Sequence, residues 1–550
     1  MDIVLVGLPG SGKSVVGKRL ASRHAATFID LDERIERADG RPIPTIFAED
    51  GEAAFRRIER EAVEALGPAD PDGLIQRVIA TGGGAVVDPR NRWALYRGRI
   101  VVWLDGRPEV LAQRLRRSPH VRPLVTGRDP IGTLRDLGAR RERFYAAADI
   151  HITGVADVSS VVAAVESHLA ERERAPGPGT RLMSASTPIG RIVIGDGIAA
   201  SAVEAALGQL EARRALIVSE PGAWNAVGSR IAAGLESRGR AVVTVLLPEG
   251  EAAKRLSVIE TAASELSRHH ISRGEPIIAI GGGALGDSAG FLAATYLRGI
   301  PIVHVPTSLV AQIDSSIGGK TALDLPEGKN LVGAFHQPTD VVIDVSLLAS
   351  LPERHRRAAL GEAVKMAALG DERLFELLER RGDAIARGDA GSVERGDIAE
   401  VVERCAWAKV EVVVADERER AGGTGRIRLN LGHSLGHAVE AAAGFSALLH
   451  GEAVAYGLRA ACRIGEAVGV TPPDRAARIA KVLDGLGLAV EPLPYALDDV
   501  LAHLALDKKH EGGRLRWVLP TADGVEIRSD IPDDVVVHAA GSLLAAGSAP

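Results

Sequence analysis

Residues Gly7 to Ser14 read G-L-P-G-S-G-K-S and follow directly on the apolar run Ile3-Val4-Leu5-Val6. An apolar strand that opens into a glycine-rich turn and then a helix aims several backbone N–H groups and a helix N-terminus at one spot, which makes a seat for a phosphate chain. In that arrangement Gly10, Ser11 and Gly12 form the loop, Lys13 reaches the β- and γ-phosphates, and the Ser14 hydroxyl ligates magnesium. Val15, Val16 and Leu20 then continue as an apolar helix. A plain glycine turn is the competing reading, and it explains neither the strand before nor the helix after. The opening segment is thus committed to βα units around a parallel sheet.

That loop accounts for only part of the chain. At 550 residues it exceeds the usual domain of about 100–200 residues and should hold three or more compact units. Its composition, 46% hydrophobic and 25% charged, is that of an ordinary chain able to bury cores. A net charge of −6 gives no bulk electrostatic reason to bind nucleic acid or an anionic membrane. Aromatic residues at 3% leave no stacking platform for single strands. The two cysteines, Cys405 and Cys462, are far apart and in no metal or redox spacing, as for buried thiols in a reducing cytosol. No uncharged stretch reaches the ~18 residues of a membrane span, and no basic region precedes the first apolar run. The expected location is cytoplasmic.

Between Ser167 and Gly190 the stretch E-R-E-R-A-P-G-P-G-T-R-L-M-S-A-S-T-P carries charge, then Pro/Gly punctuation, then small polar residues. It predicts a linker over residues 171–188, closing a first domain at residues 1–170. Beyond it Ile192–Ile194, Ala215–Val218, Val242–Leu246, Ile277–Ile280 and Ile302–Val305 repeat the strand–helix rhythm, predicting an α/β part over 189–350. From about residue 352 amphipathic charged segments take over until Leu515–Leu519, predicting a mainly helical part over 351–550.

Within the first domain, Phe28-Ile29-Asp30-Leu31-Asp32 reads as an extended segment, so Asp30 and Asp32 are expected to project from one face, with a charged strand end or helix cap as the competing reading. Further on lie Gly51 to Glu59 with Arg56, the triplet Gly82-Gly83-Gly84, Arg122-Pro123-Leu124, and Arg141 with Tyr145. Together these residues resemble shikimate kinase over roughly residues 1 to 165. The resemblance implies a P-loop kinase domain using ATP and magnesium. Asp32, Arg56, Gly83 and Arg141 then bind shikimate, Asp30 serves magnesium through water, and Arg122 belongs to a lid over ATP. Guanidinium forks suit such a substrate because they pair bidentately with its carboxylate. Val15 departs from the Thr common after the loop serine, and little loss is expected. The runner-up is another small-metabolite kinase such as a gluconate kinase, which should lack the Asp32, Arg56 and Arg141 set.

In the last part His433 and His437 stand four apart on one predicted helix face, His450 follows in L-H-G-E, and Glu362 lies upstream in G-E-A-V-K. Two imidazoles and a carboxylate are a common zinc set with an open position, although a lone His on an apolar face is more often a satisfied core residue. The H-S-L-G-H stretch lacks the Glu after its first His that a metalloprotease would use. Ile277 to Arg298 reads I-I-A-I-G-G-G-A-L-G-D-S-A-G-F-L-A-A-T-Y-L-R, a strand opening into glycines and then a helix, fit for a dinucleotide pyrophosphate. After it come Pro306-Thr307-Ser308-Leu309, Gln312 to Lys320, Gly328-Lys329-Asn330 and Asp507-Lys508-Lys509.

This ordered series closely resembles 3-dehydroquinate synthase over about residues 185 to 545. The resemblance implies a Rossmann-like α/β NAD-binding half, a mainly α-helical metal-binding half, and a homodimer. Glu362, His433 and His450 then hold zinc or cobalt. NAD contacts fall on Glu249, Gly250, Glu251, Lys254, Gly283, Ala284, Leu285, Gly286, Asp287, Thr307, Ser308, Lys320 and Lys329. Substrate contacts and catalysis fall on Asp314, Lys320, Asn330, Lys365, Lys409, Arg426, Asn430, His437 and one of Lys508 or Lys509, with Arg298 offered to the neighbouring subunit. The implied reaction consumes a seven-carbon sugar acid phosphate, oxidises it transiently with NAD, releases phosphate and closes a ring without net redox change. Glu275 stands where Asp is common, and Ala421 to Gly425 looks like a lengthened loop that could move Arg426. A metal-dependent polyol dehydrogenase would reduce NAD stoichiometrically and need no phosphate pocket, a sedoheptulose 7-phosphate cyclase would need no carboxylate partners, and a non-catalytic scaffold would have no reason to keep both residue sets. The expectation is a fusion of two enzymes of aromatic amino-acid biosynthesis.

Overall fold

The structure is a computed structural model of the 550-residue chain and describes all residues but 70–73, 118–128, 155–156, 173–178, 327, 418–424, 446, 511–514 and 546–550, and the side chains of Arg172 and residues 506–510. It divides into two compact units, Met1–Ser186 with Arg191–Ile198, and Thr187–Gly190 with Ala199–Pro550.

The first unit is built on a parallel sheet of β1 (Asp2–Val6), β2 (Thr27–Asp30), β3 (Arg77–Ala80), β4 (Ile100–Leu104) and β5 (Ile150–Ile152), in the order β2-β3-β1-β4-β5. All five residues of β1 are buried, because helices cover both faces of a parallel sheet and select a continuous apolar run. Ile3, Leu5, Val78, Val102 and Leu104 pack on Val16 and Leu20 and on Val161, Val162 and Val165. The strand order reverses beside β1, so β1 and β3 release their following loops at the same crevice beyond the carboxyl ends.

The expected linker is corrected at its C-terminal end, because Thr180–Thr187 forms a strand, β6, with Leu182 and Met183 buried. Its sequence T-R-L-M-S-A-S-T sets small and polar residues around two adjacent apolar ones, so no clean alternation marks it. After β7 (Gly190–Asp196) come β8 (Arg214–Ser219), β9 (Ala241–Leu246), β10 (Ile277–Gly281), β11 (Ile302–Pro306), the antiparallel hairpin β12 (Lys320–Leu325) and β13 (Gly328–Phe335), and β14 (Asp340–Asp344). The second sheet runs β6-β7-β14-β11-β10-β8-β9, and β9, β8, β10, β11 and β14 are mutually parallel. The five predicted strands are all present. From Glu353 to His510 the described elements are all helices, and the short antiparallel pair β15 (Trp517–Pro520) and β16 (Val525–Arg528) follows.

Candidate active sites

The loop after β1 closes around its own lysine. Gly12, at φ 93° before the helix Lys13–Arg23, takes a left-handed conformation that a side chain would strain. Lys13 Nζ donates to Gly7 O at 2.9 Å, to Leu8 O at 3.0 Å and to the buried Ser11 Oγ at 3.4 Å. Gly10, at φ 84°, packs against the Leu111 backbone, while Val15 is 59% exposed beside the loop. The Ser14 hydroxyl donates to Asp30 Oδ2 at 2.5 Å, bringing together the two residues assigned to magnesium.

One expectation here is corrected. Asp30 ends β2 and caps the helix Leu31–Asp39, its Oδ1 accepting from the N–H groups of Asp32 and Glu33, so Asp32 lies in the first helical turn and does not share a strand face with Asp30. An Asp at a strand end followed by Leu-Asp-Glu is a good N-cap, and the cap wins over strand extension.

Asp32 still points to the expected place. A Cβ at Gly82 would meet Asp32 Oδ1 at 2.8 Å, one at Gly83 would meet Pro9 at 2.9 Å, and one at Gly84 would meet the Arg56 guanidinium at 2.7 Å. Gly83 O accepts from Arg141 Nη1 at 2.8 Å and from the Tyr145 hydroxyl at 2.6 Å. The triplet after β3 is thus the floor on which Asp32, Arg56, Gly83 and Arg141 converge. Sequence reasoning missed Glu59, which is buried beneath Gly82 and takes Arg56 Nη1 at 2.7 Å. Burial raises its carboxyl and the Arg56 charge offsets that in part. Arg122 lies outside the described residues.

In the second unit a cavity of about 500 Å³ is lined by Asp287, Asp314, Lys320, Asn330, Lys365, Lys409, Arg426, Asn430, His433, His437 and His450, among others. Three helices deliver its metal-type residues: Glu353–Ala368 carries Glu362, His433–Ala442 carries His433 and His437, and His450–Ala467 begins at His450. They approach backbone to backbone through glycines, since a Cβ at Gly361 would lie 2.3 Å from Gly451 O and one at Gly457 only 1.7 Å from Gly432 O. Glu362 Oε1 lies 3.5 Å from His433 Nε2 and 3.3 Å from His450 Nε2. Ligands about 2.0–2.1 Å from a tetrahedral zinc stand roughly 3.4 Å apart, so these separations fit a shared ion.

The rest of the donor set also fits. Both Glu362 oxygens are buried without a hydrogen-bond partner, although Lys365 lies against Oε2 as an ion pair. His433 Nδ1 faces Leu431 O at 3.1 Å and His450 Nδ1 faces Glu440 Oε2 at 3.1 Å, which leaves each Nε2 for a metal. The ligand atoms of His433, His437 and His450 lie within 4.8 Å of one another, so His437 borders the same seat. Burial pushes His433 down to about 3. Burial also opposes charging of His450, but the Glu362 and Glu440 carboxylates against its two ring nitrogens outweigh it and push His450 up to about 10.

Beside this seat, Lys409 Nζ donates to Asp314 Oδ1 and to Asp314 O, both at 2.7 Å. Burial raises Asp314, and the nearby Lys409 and Lys365 charges reverse this and hold it at about 2. Arg426 is buried in the cavity wall, its guanidinium donating to Gly318 O at 3.1 Å and Glu417 O at 3.0 Å. The lengthened loop before it, residues 421–424, lies outside the described residues, and Arg426 lines the cavity all the same. Lys508 and Lys509 fall in the helix Leu497–His510, with side chains outside those described. Arg298 does not line the cavity; it is exposed at φ 65°, after Leu297 at φ 50°.

The glycine turn after β10 feeds the helix Gly283–Thr295, which includes Ala284, Gly286 and Asp287. Leu285 turns its side chain into the core, leaving only its backbone to the turn. Thr307 N–H bonds Gly281 O at 3.0 Å, and Ser308 Oγ accepts from Ala311 N–H at 3.4 Å. Asp287 takes Lys254 Nζ at 2.8 Å and is pushed up to about 6 by burial, against the pull of that lysine. Lys254 also reaches Asn330 Oδ1. Lys329 Nζ donates to Glu251 Oε1 at 3.3 Å and to Glu440 Oε1 at 3.0 Å.

Two carboxylates here were missed from sequence. Glu220, just past β8, accepts from Gly250 N–H at 2.9 Å and Gly282 N–H at 3.2 Å, tying the Glu249–Lys254 segment to the glycine turn. Glu440 is the other, and its place on the face of His433 and His437, three residues after His437, was a usable signal. Glu275, the departure noted above, pairs with Arg214 through both oxygens at 2.6 and 2.8 Å before β10 begins, at the end of the strand remote from the glycine turn.

A phosphate-loop kinase followed by an α/β enzyme with a built metal seat is the class these two sites define. Family comparison divides the chain the same way: "Shikimate kinase" matches residues 9–170, "3-dehydroquinate synthase N-terminal" residues 244–358, and "3-dehydroquinate synthase C-terminal" residues 359–510. A 3-dehydroquinate synthase of Symbiobacterium thermophilum is 44% identical over 330 residues, 59% of this chain and 89% of that protein. The structure of 2-epi-5-epi-valiolone synthase from Streptomyces hygroscopicus, with NAD+ and Zn2+ bound, is 28% identical and covers 64% of this chain and 96% of its own, at a TM-score of 0.58. Shikimate kinase from Acinetobacter baumannii, in complex with shikimate, is 34% identical over 32% of this chain and 94% of its own, at a TM-score of 0.29. The chain belongs to the shikimate kinase family in its first unit and to the 3-dehydroquinate synthase family in its second.

Proposed function

We propose that one chain carries two reactions: ATP-dependent phosphorylation of shikimate, and NAD- and zinc-dependent conversion of 3-deoxy-D-arabino-heptulosonate 7-phosphate to 3-dehydroquinate and phosphate. In the first unit Asp32 accepts the hydroxyl proton of shikimate, Arg56 and Arg141 hold its carboxylate, and Lys13 and the loop N–H groups hold the ATP phosphates. Ser14 and Asp30 serve magnesium.

In the second unit Glu362, His433 and His450 hold zinc, and the Gly283–Asp287 turn with Glu249–Lys254, Thr307 and Ser308 holds NAD. When bound, zinc supplies Lewis acidity at the substrate hydroxyls and NAD a hydride acceptor that is restored within each turnover. Lys320, Asn330, Lys365, Arg426 and Asn430 bind a doubly anionic substrate, Asp314 orients Lys409, and His437 moves protons beside the metal seat. The observation that carries this reading is Glu362: a buried carboxylate with neither oxygen hydrogen-bonded, aimed at two imidazole Nε2 atoms. Phosphate release that stops on chelation, returns with zinc and leaves NADH absorbance flat is the expected result. NADH rising one for one with substrate consumed would replace this reading with a polyol dehydrogenase.

Our reading further includes a homodimer to which Arg298 contributes across the interface, supported by its exposed, left-handed backbone. Sedimentation of the full chain at twice the 57.7 kDa chain mass is expected; a monomer would refute it. We also place the protein in the cytoplasm, where the free, buried Cys405 and Cys462 suit a reducing environment. Among the described residues no helix is long and apolar enough to cross a membrane.

A further inference from the structure

Glu440 stands between two residues with assigned tasks and gives each of its oxygens to one of them. Oε2 faces His450 Nδ1 at 3.1 Å, and Oε1 receives Lys329 Nζ at 3.0 Å. From His450 the line continues through Nε2 to Glu362 Oε1 at 3.3 Å, the metal seat. From Lys329 it continues to Glu251 Oε1 at 3.3 Å, inside the segment assigned to NAD. The Phe445 ring lies 4.7 Å from Lys329 Nζ and occupies another side of the ammonium. The Glu440 side chain is 9% exposed, so its two charge-assisted bonds are less screened by water than the outer pair, where Glu251 is 51% exposed.

An ion pair that merely joined a helix to the β12–β13 hairpin would have no need to end on a metal ligand at one side and a nucleotide residue at the other. We propose that Glu440 is a positioning residue that couples the metal seat to the nucleotide segment, so that zinc and NAD each bind more tightly when the other is present. The inference rests on the reading of the second unit given above. A metal on His450 Nε2 strengthens the donation of Nδ1–H to Glu440 and fixes the ring. Glu440, so fixed, holds Lys329 against Glu251 before the nucleotide arrives, and the cost of ordering that lysine is removed from NAD binding. Because coupling is reciprocal, NAD must tighten zinc by the same factor.

The test measures NAD affinity by fluorescence titration of the full chain with and without zinc, and zinc affinity by competition with a chromogenic chelator. In the native chain zinc should tighten NAD binding by a factor of about 5–150. Glu440→Gln should bring that factor to near one and weaken zinc binding about 10–100-fold. Lys329→Met cuts the line without touching a metal ligand; it should abolish the factor while the zinc affinity of the NAD-free chain stays within about threefold, which keeps the inference testable should Glu440→Gln fail to fold. Native chain that binds no zinc would sink the metal reading itself. Native chain that binds both ligands, with the coupling factor unchanged in both variants, would sink the coupling alone.

Discussion

Lys13 in the phosphate loop is 8% exposed, and its ammonium meets two backbone carbonyls and a hydroxyl of its own loop. Glu362 in the metal seat is 1% exposed, and neither of its oxygens has a hydrogen-bond partner. The first unit meets its buried charge with hydrogen bonds to its own loop, so that charge is satisfied by the protein itself. The second unit gathers carboxylates, imidazoles and lysines from four helices and the short helical turn Ala311–Ser315, and both Glu362 oxygens stay without a hydrogen bond even though Lys365 lies against one of them as an ion pair. A satisfied site should tolerate loss of its ligand, and an unsatisfied one should register that loss in stability.

The largest effects test whether the sites are separate. Lys13→Ala should lower shikimate phosphorylation by about 10²–10³-fold, and Glu362→Ala should lower phosphate release by about 10³-fold or more. Each should leave the other reaction within about twofold. Loss of both activities from either substitution, in a chain with native circular dichroism, would break the contrast.

Removal of ligands sharpens it. Zinc at a thousand times its dissociation constant contributes about 4 kcal/mol, so chelation should lower the melting transition of the second unit by roughly 5 °C. Omitting ATP and magnesium should shift the first transition much less. Equal shifts in differential scanning calorimetry would show that the metal seat is not the unsatisfied one.

A smaller effect is expected from pH in the metal-free chain. His450 is raised to about 10, so its contribution is fully present below about pH 6.5 and is lost as pH climbs towards 10. His433 is lowered to about 3 by burial and acts oppositely: the unfolded chain binds its proton more readily, so stability falls as pH drops below about 6.5. Glu440, which burial would raise but its His450 hydrogen bond holds at about 2, adds stability above about pH 4.5 that is lost on acidification. Denaturant midpoints of the metal-free chain should therefore peak near pH 6.5 and fall on both sides. With zinc bound His450 is neutral in the folded state, so the alkaline fall should disappear; its persistence would contradict the assignment of His450 as a ligand. The smallest effect is Val15→Thr, at a position 59% exposed, which should change kinase turnover by no more than about twofold.

Both glycine turns and their strands were legible because backbone requirements leave a local trace: Gly12 needs a left-handed φ, and β1 and β10 need uninterrupted apolar runs. His433 and His437 were legible as a helical pair. Asp32 was misplaced because strand and cap compete over two residues, and the cap prevailed. β6 was hidden by its small polar residues. Glu59, Glu220 and Glu440 act through partners 3 to 111 residues away, and a carboxylate aimed at a backbone N–H or a distant lysine looks in sequence like any surface glutamate.

The account's central claim is that one polypeptide holds two complete and independent active centres. Its most direct test is a single reaction containing the purified full chain, ATP, magnesium, shikimate, zinc, NAD and the heptulosonate phosphate. Shikimate 3-phosphate, 3-dehydroquinate and inorganic phosphate are followed together, with each substrate omitted in turn. The predicted result is that both products form, that inorganic phosphate matches 3-dehydroquinate, that NADH stays flat, and that omitting either substrate leaves the other rate unchanged. Absence of either product, or stoichiometric NADH, would contradict it.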